Sequence, residues 1–344
     1  IVYFVMQVGD GWAEVWQSLK RANYAWVVPS VAALGVFYVF RAMRLQLFLS
    51  AVGPVPYRTA ASATLIGFMA NCVLPLRVGE IIRPWVVSRR SRVGFGQAAG
   101  IAMGLERVFD LIGLAMLLAV TLLALSLGGM PEEQAAPPTA PPVNQVATED
   151  AGEVEEATSA PRGMSLEQVR HYGTMMAAVA LVGLAGIVLL AAAPQAMLRV
   201  GHFVLAPLPE AWRLTIMEFV ESVISPMKFV KDPARVGLGL LLTLAVWTCT
   251  AVSTWLLSLG FGLELSLSAV LVVQLAISLA VILPQAPSFL GLFQVGALTA
   301  ASFYGIARSD AAAFANVLWA VNVVPITVVG LVVLHSAGLS PRTL

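Results

Sequence analysis

The chain has 344 residues, of which 59% are hydrophobic and only 11% are charged, and its net charge is +1. A soluble globular domain carries about 25% charged residues, so this composition excludes an ordinary soluble domain. Long apolar runs without alternation favour membrane-spanning helices over a β-barrel, whose strands alternate. The near-neutral balance of charge gives no reason to expect a nucleic-acid partner.

Residues 1–128 are predicted to form a first membrane half. Within it, Gly9–Asn23 combines tryptophans with basic residues, a mixture that suits the headgroup layer, so we predict an interfacial helix. A membrane span is predicted to follow at Tyr24–Ser50, and near its end it carries Arg41 and Arg44.

The next apolar segment is interrupted at the point where polar residues are concentrated. Proline removes a backbone donor and glycine loosens the chain, so we predict a broken, re-entrant helix. Irregular backbone at membrane depth is tolerated only where protein or a water-filled cavity lines it. We therefore predict a binding site formed by Asn71, Pro75, Arg77, Gly79, Glu80 and Arg83. The alternative is a cytoplasmic loop that merely follows the positive-inside rule.

A long helix is predicted at Phe95–Leu127, with charges in its first half. Asp110 follows Arg107 by three residues and Glu106 by four, so Asp110 lies close to both on the helix. Charges inside a membrane helix are costly unless they are paired or reach water. We expect these residues to bind substrate, to form a structural ion-pair cluster with the Arg77–Arg83 segment, or to do both.

Residues 129–168 break the apolar pattern with six prolines, eight acidic residues and one arginine. Such a segment cannot bury enough apolar surface to order itself, so we predict a disordered loop. The positive-inside rule assigns the basic segments Arg77–Arg92 and Pro194–Arg235 to the cytoplasm and places this loop outside. We expect a multi-pass protein of the bacterial plasma membrane.

Residues 169–344 are predicted to form the second membrane half, which also contains an interrupted apolar run. Two prolines and a glycine between Pro284 and Gln294 predict a second broken segment, with a simple tight turn as the alternative. Paired interruptions are typical of inverted-repeat transporters. We thus predict an all-α membrane protein of about six to eight helices, with two broken segments related as an inverted repeat. Further binding residues are predicted at Pro287, Gly291, Gln294 and Asn322.

The motifs resemble those of a known family. The Asn71–Arg83 motif, followed by the Glu106–Asp110 motif, resembles the signature of the lysylphosphatidylglycerol synthase transmembrane region, also called flippase-like. The Pro287–Gln294 stretch resembles the second-half motif of that family, although many relatives carry Pro-Gly-Gly and a glutamate there. The resemblance covers most of the chain outside the acidic loop and does not include the soluble aminoacyl-transfer domain of the full synthases.

The resemblance implies a flippase-like transporter, and not an enzyme, that translocates an anionic phospholipid or a phosphate-linked lipid, whether aminoacylated or polyprenyl. Arg77, Arg83 and Arg107 would hold the phosphate, because arginine offers a planar donor fork. No metal or cofactor is expected, and a homo-oligomer and a lipid-modifying partner enzyme are left open. The alternatives are a membrane enzyme acting on a lipid-linked sugar or phosphate, and a scaffold that transports nothing.

Overall fold

The secondary structure is helical throughout the part of the chain that can be described. Besides a few positions between 209 and 221, the computed structural model describes residues 12–128, 229–263, 265–282, 287–302 and 304–336. The prediction of an all-α protein is confirmed for these residues. The acidic loop at 129–168 and the first eleven residues lie outside them.

The helices occur in two groups along the chain. The first group contains α1 (Trp12–Arg21), α2 (Val27–Leu49), α3 (Tyr57–Val73), α4 (Gly79–Arg90), α5 (Phe95–Ala99) and α6 (Glu106–Gly128). A π-helical stretch, Gly100–Leu105, joins α5 to α6. The second group contains α7 (Pro233–Gly260), α8 (Leu267–Ile282), α9 (Leu292–Ser302) and α10 (Arg308–Ser336).

Long apolar helices account for most of the described chain. By length and composition, four of its segments can cross a membrane, namely Tyr24–Leu49, Phe95–Ala124, Pro233–Gly260 and Arg308–Ser336. The apolar helices α8 and α9 are shorter than the roughly 20 residues that a span requires. The described residues therefore combine long spanning helices with pairs of shorter ones.

The two short helices α3 and α4 pack tightly against each other. A Cβ atom on Gly79 would overlap the backbone oxygen of Gly67, and one on Gly67 would overlap the side chain of Arg83. The chain reverses between the helices through Leu76 and Arg77, whose φ angles of 60° and 55° are uncommon for residues with a side chain. Around Pro75 the chain thus forms a compact turn between the end of α3 and the start of α4.

Contacts between the two groups hold the bundle together. Helix α2 packs along α7, and α3 packs along α10. At the α2–α7 contact, the Ser30 hydroxyl lies 2.9 Å from the Ser253 carbonyl oxygen and 2.8 Å from the Ser253 hydroxyl, and both residues are buried. Small hydroxyl residues let helix backbones approach closely in a membrane and bond across the contact.

A second turn, Pro287–Phe289, lies between α8 and α9 and touches the first break. Ser288 and Phe289 have φ angles of 62° and 57°, like the pair that follows Pro75. The Ser288 hydroxyl donates to the Cys72 carbonyl oxygen at 2.6 Å, and the Trp319 indole donates to the Ser288 carbonyl oxygen at 2.7 Å. Residues 283–286, which include Pro284, lie outside the described residues.

Candidate functional site

Charged side chains from α2, α4, α6 and the turn before α4 meet in one group, called here the polar cluster. Its members are Arg41, Arg44, Arg77, Glu80, Arg83, Glu106, Arg107 and Asp110. Six of these eight were expected from the sequence to lie together or to bind substrate. Charges inside a membrane protein are typically paired or face a wet cavity.

Asp110 is the centre of the deeper part of the polar cluster. Arg41 donates to its two carboxylate oxygens in a bidentate pair, at 2.8 Å each. Arg44, which is fully buried, donates to the same carboxylate at 2.5 Å and to the Thr243 hydroxyl of α7 at 2.9 Å. Bidentate arginine–carboxylate pairs are among the strongest polar contacts in proteins, so these bonds fix α2, α6 and α7 relative to one another.

Glu106 and Arg83 form the other buried pair. Arg83 Nη2 lies 2.7 Å from Glu106 Oε2, although the groups are not aligned as a hydrogen bond. Arg44 Nη2 lies 3.7 Å from the other carboxylate oxygen. The Phe68 ring lies near two guanidinium groups, with its centre 5.3 Å from Arg41 and 5.7 Å from Arg83. An aromatic face attracts cations and helps to stabilise such closely spaced positive charges.

The outer part of the polar cluster reaches the surface of the chain. The side chains of Arg77 and Arg107 are 31% and 39% exposed, and Glu80 lies between them. Arg107 donates to the Glu80 carboxylate, and Arg77 Nη1 lies 3.6 Å from the same oxygen. Arg77 also donates to the Val281 carbonyl oxygen near the end of α8. Burial lowers the pKa of the Arg77 guanidinium and Glu80 opposes the shift, but an arginine in a protein keeps its charge.

Positive charge is in excess in the polar cluster. Its five arginines and three carboxylates leave a net charge of +2 among the residues that the structure describes. The Nε atoms of Arg41, Arg44 and Arg83 are buried without hydrogen-bond partners there. An anion that approaches Arg77 and Arg107 would reduce the excess positive charge.

Two residues of the first motif shape the turn and contribute no charge. The Asn71 side-chain oxygen is buried beside Gly79 and makes no hydrogen bond within the described chain. Pro75 lies exposed in the turn itself. Arg77 and Arg83 do not share a helix, because α4 begins only at Gly79 and Arg77 precedes it.

The second motif does not join the polar cluster. Gly291 donates its backbone N–H to the Gln294 side chain at 2.8 Å, so Gln294 caps the start of α9. The Asn322 amide donates to the Leu318 carbonyl oxygen of its own helix at 2.8 Å. Pro287 begins the turn that precedes Ser288. These residues organise the second break and the helix beside it, and they remain candidates for binding only as a separate group.

The sequence analysis did not include Arg41, Arg44 or Thr243 among the site residues. A signal was present, since two arginines three residues apart occur inside an apolar helix, where charges usually have a partner. Thr243 gave no such signal, because a threonine in an apolar helix commonly bonds its own backbone. It does so here as well, donating to the Gly239 carbonyl oxygen at 2.8 Å.

The backbone before α6 is irregular, directly next to the charged residues of the polar cluster. The π-helical stretch Gly100–Leu105 ends directly before Glu106. Such stretches are rare and frequently occur at functional sites. Among the described residues, no group of three or more His, Cys, Asp and Glu side chains could hold a metal ion.

Apolar spanning helices around a charged internal cluster define an integral membrane protein with a polar site between its helices. The chain belongs to the family described as lysylphosphatidylglycerol synthase TM region, which it matches over residues 1–144 and 161–330. The family resemblance of the sequence motifs is thereby confirmed. No solved structure matches the chain.

A curated relative extends the comparison. The chain is 28% identical over 294 residues to a protein named glycosyltransferase AglD from Haloferax volcanii. The match covers 82% of this chain but only 44% of the relative, so the chain spans less than half of that protein's length. Our expectation that the chain is not an enzyme is contradicted by this finding, because a relative over most of the chain carries the name of an enzyme.

Proposed function

We propose that the chain is the lipid-binding membrane region of an enzyme that acts on a phosphate-linked lipid, and that the polar cluster binds the phosphate. The observation that carries this proposal is the excess of two positive charges, with Arg77 and Arg107 partly exposed and Arg77 located in the turn between α3 and α4. A site that served only to join helices would be most stable with its charges balanced. A phosphate group supplies the missing negative charge.

Arg77 and Arg107 are the residues that would contact the phosphate. Both side chains reach the surface, and both are oriented by the one carboxylate of Glu80. Guanidinium groups recognise phosphate through paired N–H donors, which lysine does not offer. The buried members Arg44, Arg83 and Glu106 would hold the helices in place behind them.

The reaction class is proposed from the relative. AglD is named a glycosyltransferase, and enzymes of that class transfer sugars. A lipid phosphate that receives a sugar fits both that name and the charge of the polar cluster. The transfer chemistry of the whole relative is a proposal for this chain, since less than half of the relative is matched.

Binding of polyprenyl phosphate to the purified chain in nanodiscs tests the phosphate site. We expect polyprenyl phosphate to bind and the matching polyprenol, which lacks phosphate, to bind much more weakly. Arg77→Lys with Arg107→Lys keeps the charge and removes both donor forks, so affinity should fall by about tenfold or more, corresponding to ~1.4 kcal/mol.

Arg89→Lys with Arg90→Lys provides the matched control, since both residues are exposed at the end of α4 and outside the polar cluster. Their replacement should leave the affinity unchanged. Equal losses in the two double variants, or equal binding of the alcohol and the phosphate, would contradict a phosphate site at Arg77 and Arg107.

Movement of the same lipid between leaflets is a second candidate function. The succession of a long helix, two short helices and a long helix occurs in both groups, which supports the inverted repeat that the sequence predicts. The two breaks also bond to each other in a reciprocal manner, Arg77 to Val281 and Ser288 to Cys72. Leaflet exchange of fluorescent polyprenyl phosphate in proteoliposomes tests this function, and exchange no faster than in empty liposomes would contradict it.

A further inference from the structure

An apolar cavity of about 500 Å³ lies between α6, α7 and α8. Its walls include Gly113 and Leu117 of α6, Trp247 of α7 and Val270 of α8. Small-molecule sites typically have volumes of about 300–1,000 Å³ and predominantly apolar walls. The polar cluster does not line this cavity, so the cavity needs an explanation of its own.

The cavity adjoins the polar cluster along one face of α6. Asp110, Gly113 and Leu117 are separated by three and four residues, the spacing of neighbours on a helix. At 1.5 Å per residue, Gly113 lies about 4.5 Å beyond Asp110 along the axis. A second connection runs through Thr243, which accepts a hydrogen bond from Arg44 and whose methyl group lies against Gly113.

An unused hydrogen-bond donor lies beside Gly113, on a residue of the cavity wall. A Cβ atom on Gly113 would overlap Trp247 Nε1, so the glycine makes room for the indole ring. The indole N–H is buried and has no hydrogen-bond partner among the described residues. A buried donor without a partner costs free energy. A polar group placed between the cavity and the polar cluster would remove this cost.

We propose that the cavity holds the hydrocarbon chain of a polyprenyl phosphate whose phosphate is bound by Arg77 and Arg107. This inference rests on the proposed function and extends it to the part of the lipid that carries no charge. A polyprenyl phosphate has one hydrocarbon chain and up to two negative charges. These properties match one cavity beside α6 and the net charge of +2. A diacyl phosphodiester lipid would need space for two acyl chains, and its phosphate brings a single negative charge.

Photoaffinity labelling locates the chain directly. The probe is a polyprenyl phosphate with a diazirine in its hydrocarbon chain, added to the full chain in nanodiscs. After irradiation, mass spectrometry identifies the modified residues. We expect adducts on the cavity walls, in the segments Gly113–Val120, Leu244–Trp255 and Leu267–Leu271. Adducts confined to the outer faces of other helices, such as Val324–Val332 of α10, would overturn the proposal.

A pair of matched variants on α7 distinguishes labelling inside the cavity from labelling of the general membrane-facing surface. Thr248 is exposed and lines the cavity, so Thr248→Trp fills it with an indole ring. Leu241 is 62% exposed on the same helix and does not line the cavity, so Leu241→Trp is the control. We expect loss of the cavity adducts in the first variant and full labelling in the second. Labelling that survives Thr248→Trp would overturn the proposal.

Competition by unlabelled lipids distinguishes this inference from the proposed function. Excess polyprenyl phosphate should abolish the cavity adducts, whereas polyprenol and phosphatidylglycerol should not. If polyprenol competes as well as the phosphate, the phosphate site is wrong while a hydrocarbon site remains supported. If polyprenyl phosphate competes selectively but the adducts lie elsewhere, the phosphate site is supported and the cavity is wrong. Equal competition by phosphatidylglycerol would overturn the choice of a single-chain lipid.

Discussion

Single residues of the polar cluster differ in burial, and this difference determines whether a residue can contact a ligand. The side chains of Arg83 and Glu106 are 5% and 1% exposed, whereas Arg77 and Arg107 reach the surface. A buried ion pair adds little stability relative to an apolar pair, but loss of one partner leaves an uncompensated charge. The buried members should therefore affect folding, and the exposed ones should affect binding.

Removal of Arg83 is expected to destabilise the protein more than removal of the whole pair. Arg83→Met leaves the Glu106 carboxylate with Arg44 alone, at 3.7 Å, and should cost about 3–5 kcal/mol. Adding Glu106→Gln to this variant should restore part of the loss, because the buried charge is then gone. The free energy of unfolding in mixed micelles, measured by titration with SDS, tests both variants.

Arg89→Met is the control for this pair. Arg89 is exposed and lies 5.7 Å from the centre of the Trp85 ring, so its loss should change the free energy of unfolding by no more than about 1 kcal/mol. Strictly additive losses in the Arg83 and Glu106 variants would mean that the two residues do not interact.

At this scale the sequence indicated which charged residues lie together better than it indicated which of them bond to each other. Glu106, Arg107 and Asp110 were recognisable, because charges are rare inside an apolar helix. Arg41 and Arg44 carried the same signal, but they occur late in a span, where an arginine is also compatible with the headgroup region. Which arginine bonds Asp110 depends on how α2 and α6 pack, and spacing along one helix does not contain that information.

Among the individual elements, α3 and α4 show how a helix break can be compact inside an apolar protein. The α3–α4 pair depends on two glycines that face each other, Gly67 and Gly79. Pro75 and Gly79 predicted the position of the break, since each weakens a helix. The left-handed conformations of Leu76 and Arg77 were not predictable, because both are residue types that rarely adopt positive φ.

Gly79→Ala is expected to disrupt the α3–α4 pair. The added methyl group would overlap the backbone oxygen of Gly67, which no side-chain rotation can relieve, so the cost should be about 1–3 kcal/mol or more. Gly237→Ala in α7 is the control, because nothing lies within 4 Å of the added atom and alanine favours a helix. Thermal unfolding in detergent should show a lower midpoint for the first variant alone. Equal midpoints would contradict the close contact.

At the scale of the whole described chain, two groups of helices pack against each other. Helix α2 contacts α7, the first long helix of each group, and α3 of the first short pair contacts α10 of the second group. The inverted repeat stays a prediction, since antiparallel orientation in a membrane requires knowledge of which loops face which side. That knowledge comes from labelling experiments.

Accessibility of the acidic loop tests the orientation. The basic segments on either side predict that residues 129–168 are extracytoplasmic. A cysteine at Ala147, in a chain whose Cys72 and Cys249 are replaced by serine, should react with an impermeant maleimide in intact cells. The same label at Arg89→Cys should require lysis. Labelling of position 147 only after lysis would reverse the predicted orientation.

The π-helical stretch before Glu106 is a place where the chain can lose one residue and keep its fold. A π-helical turn holds more residues than an α-helical turn, so deleting one residue from Gly100–Leu105 can restore ordinary helix without turning Glu106 or Asp110 away from their partners. A deletion inside α6 instead rotates everything beyond it by about 100°. Deletion of Met103, which is exposed, should therefore leave a folded protein, whereas deletion of Met116 should not. Gel filtration of the two purified variants shows the difference, and relatives of unequal length should gain or lose residues at this position first.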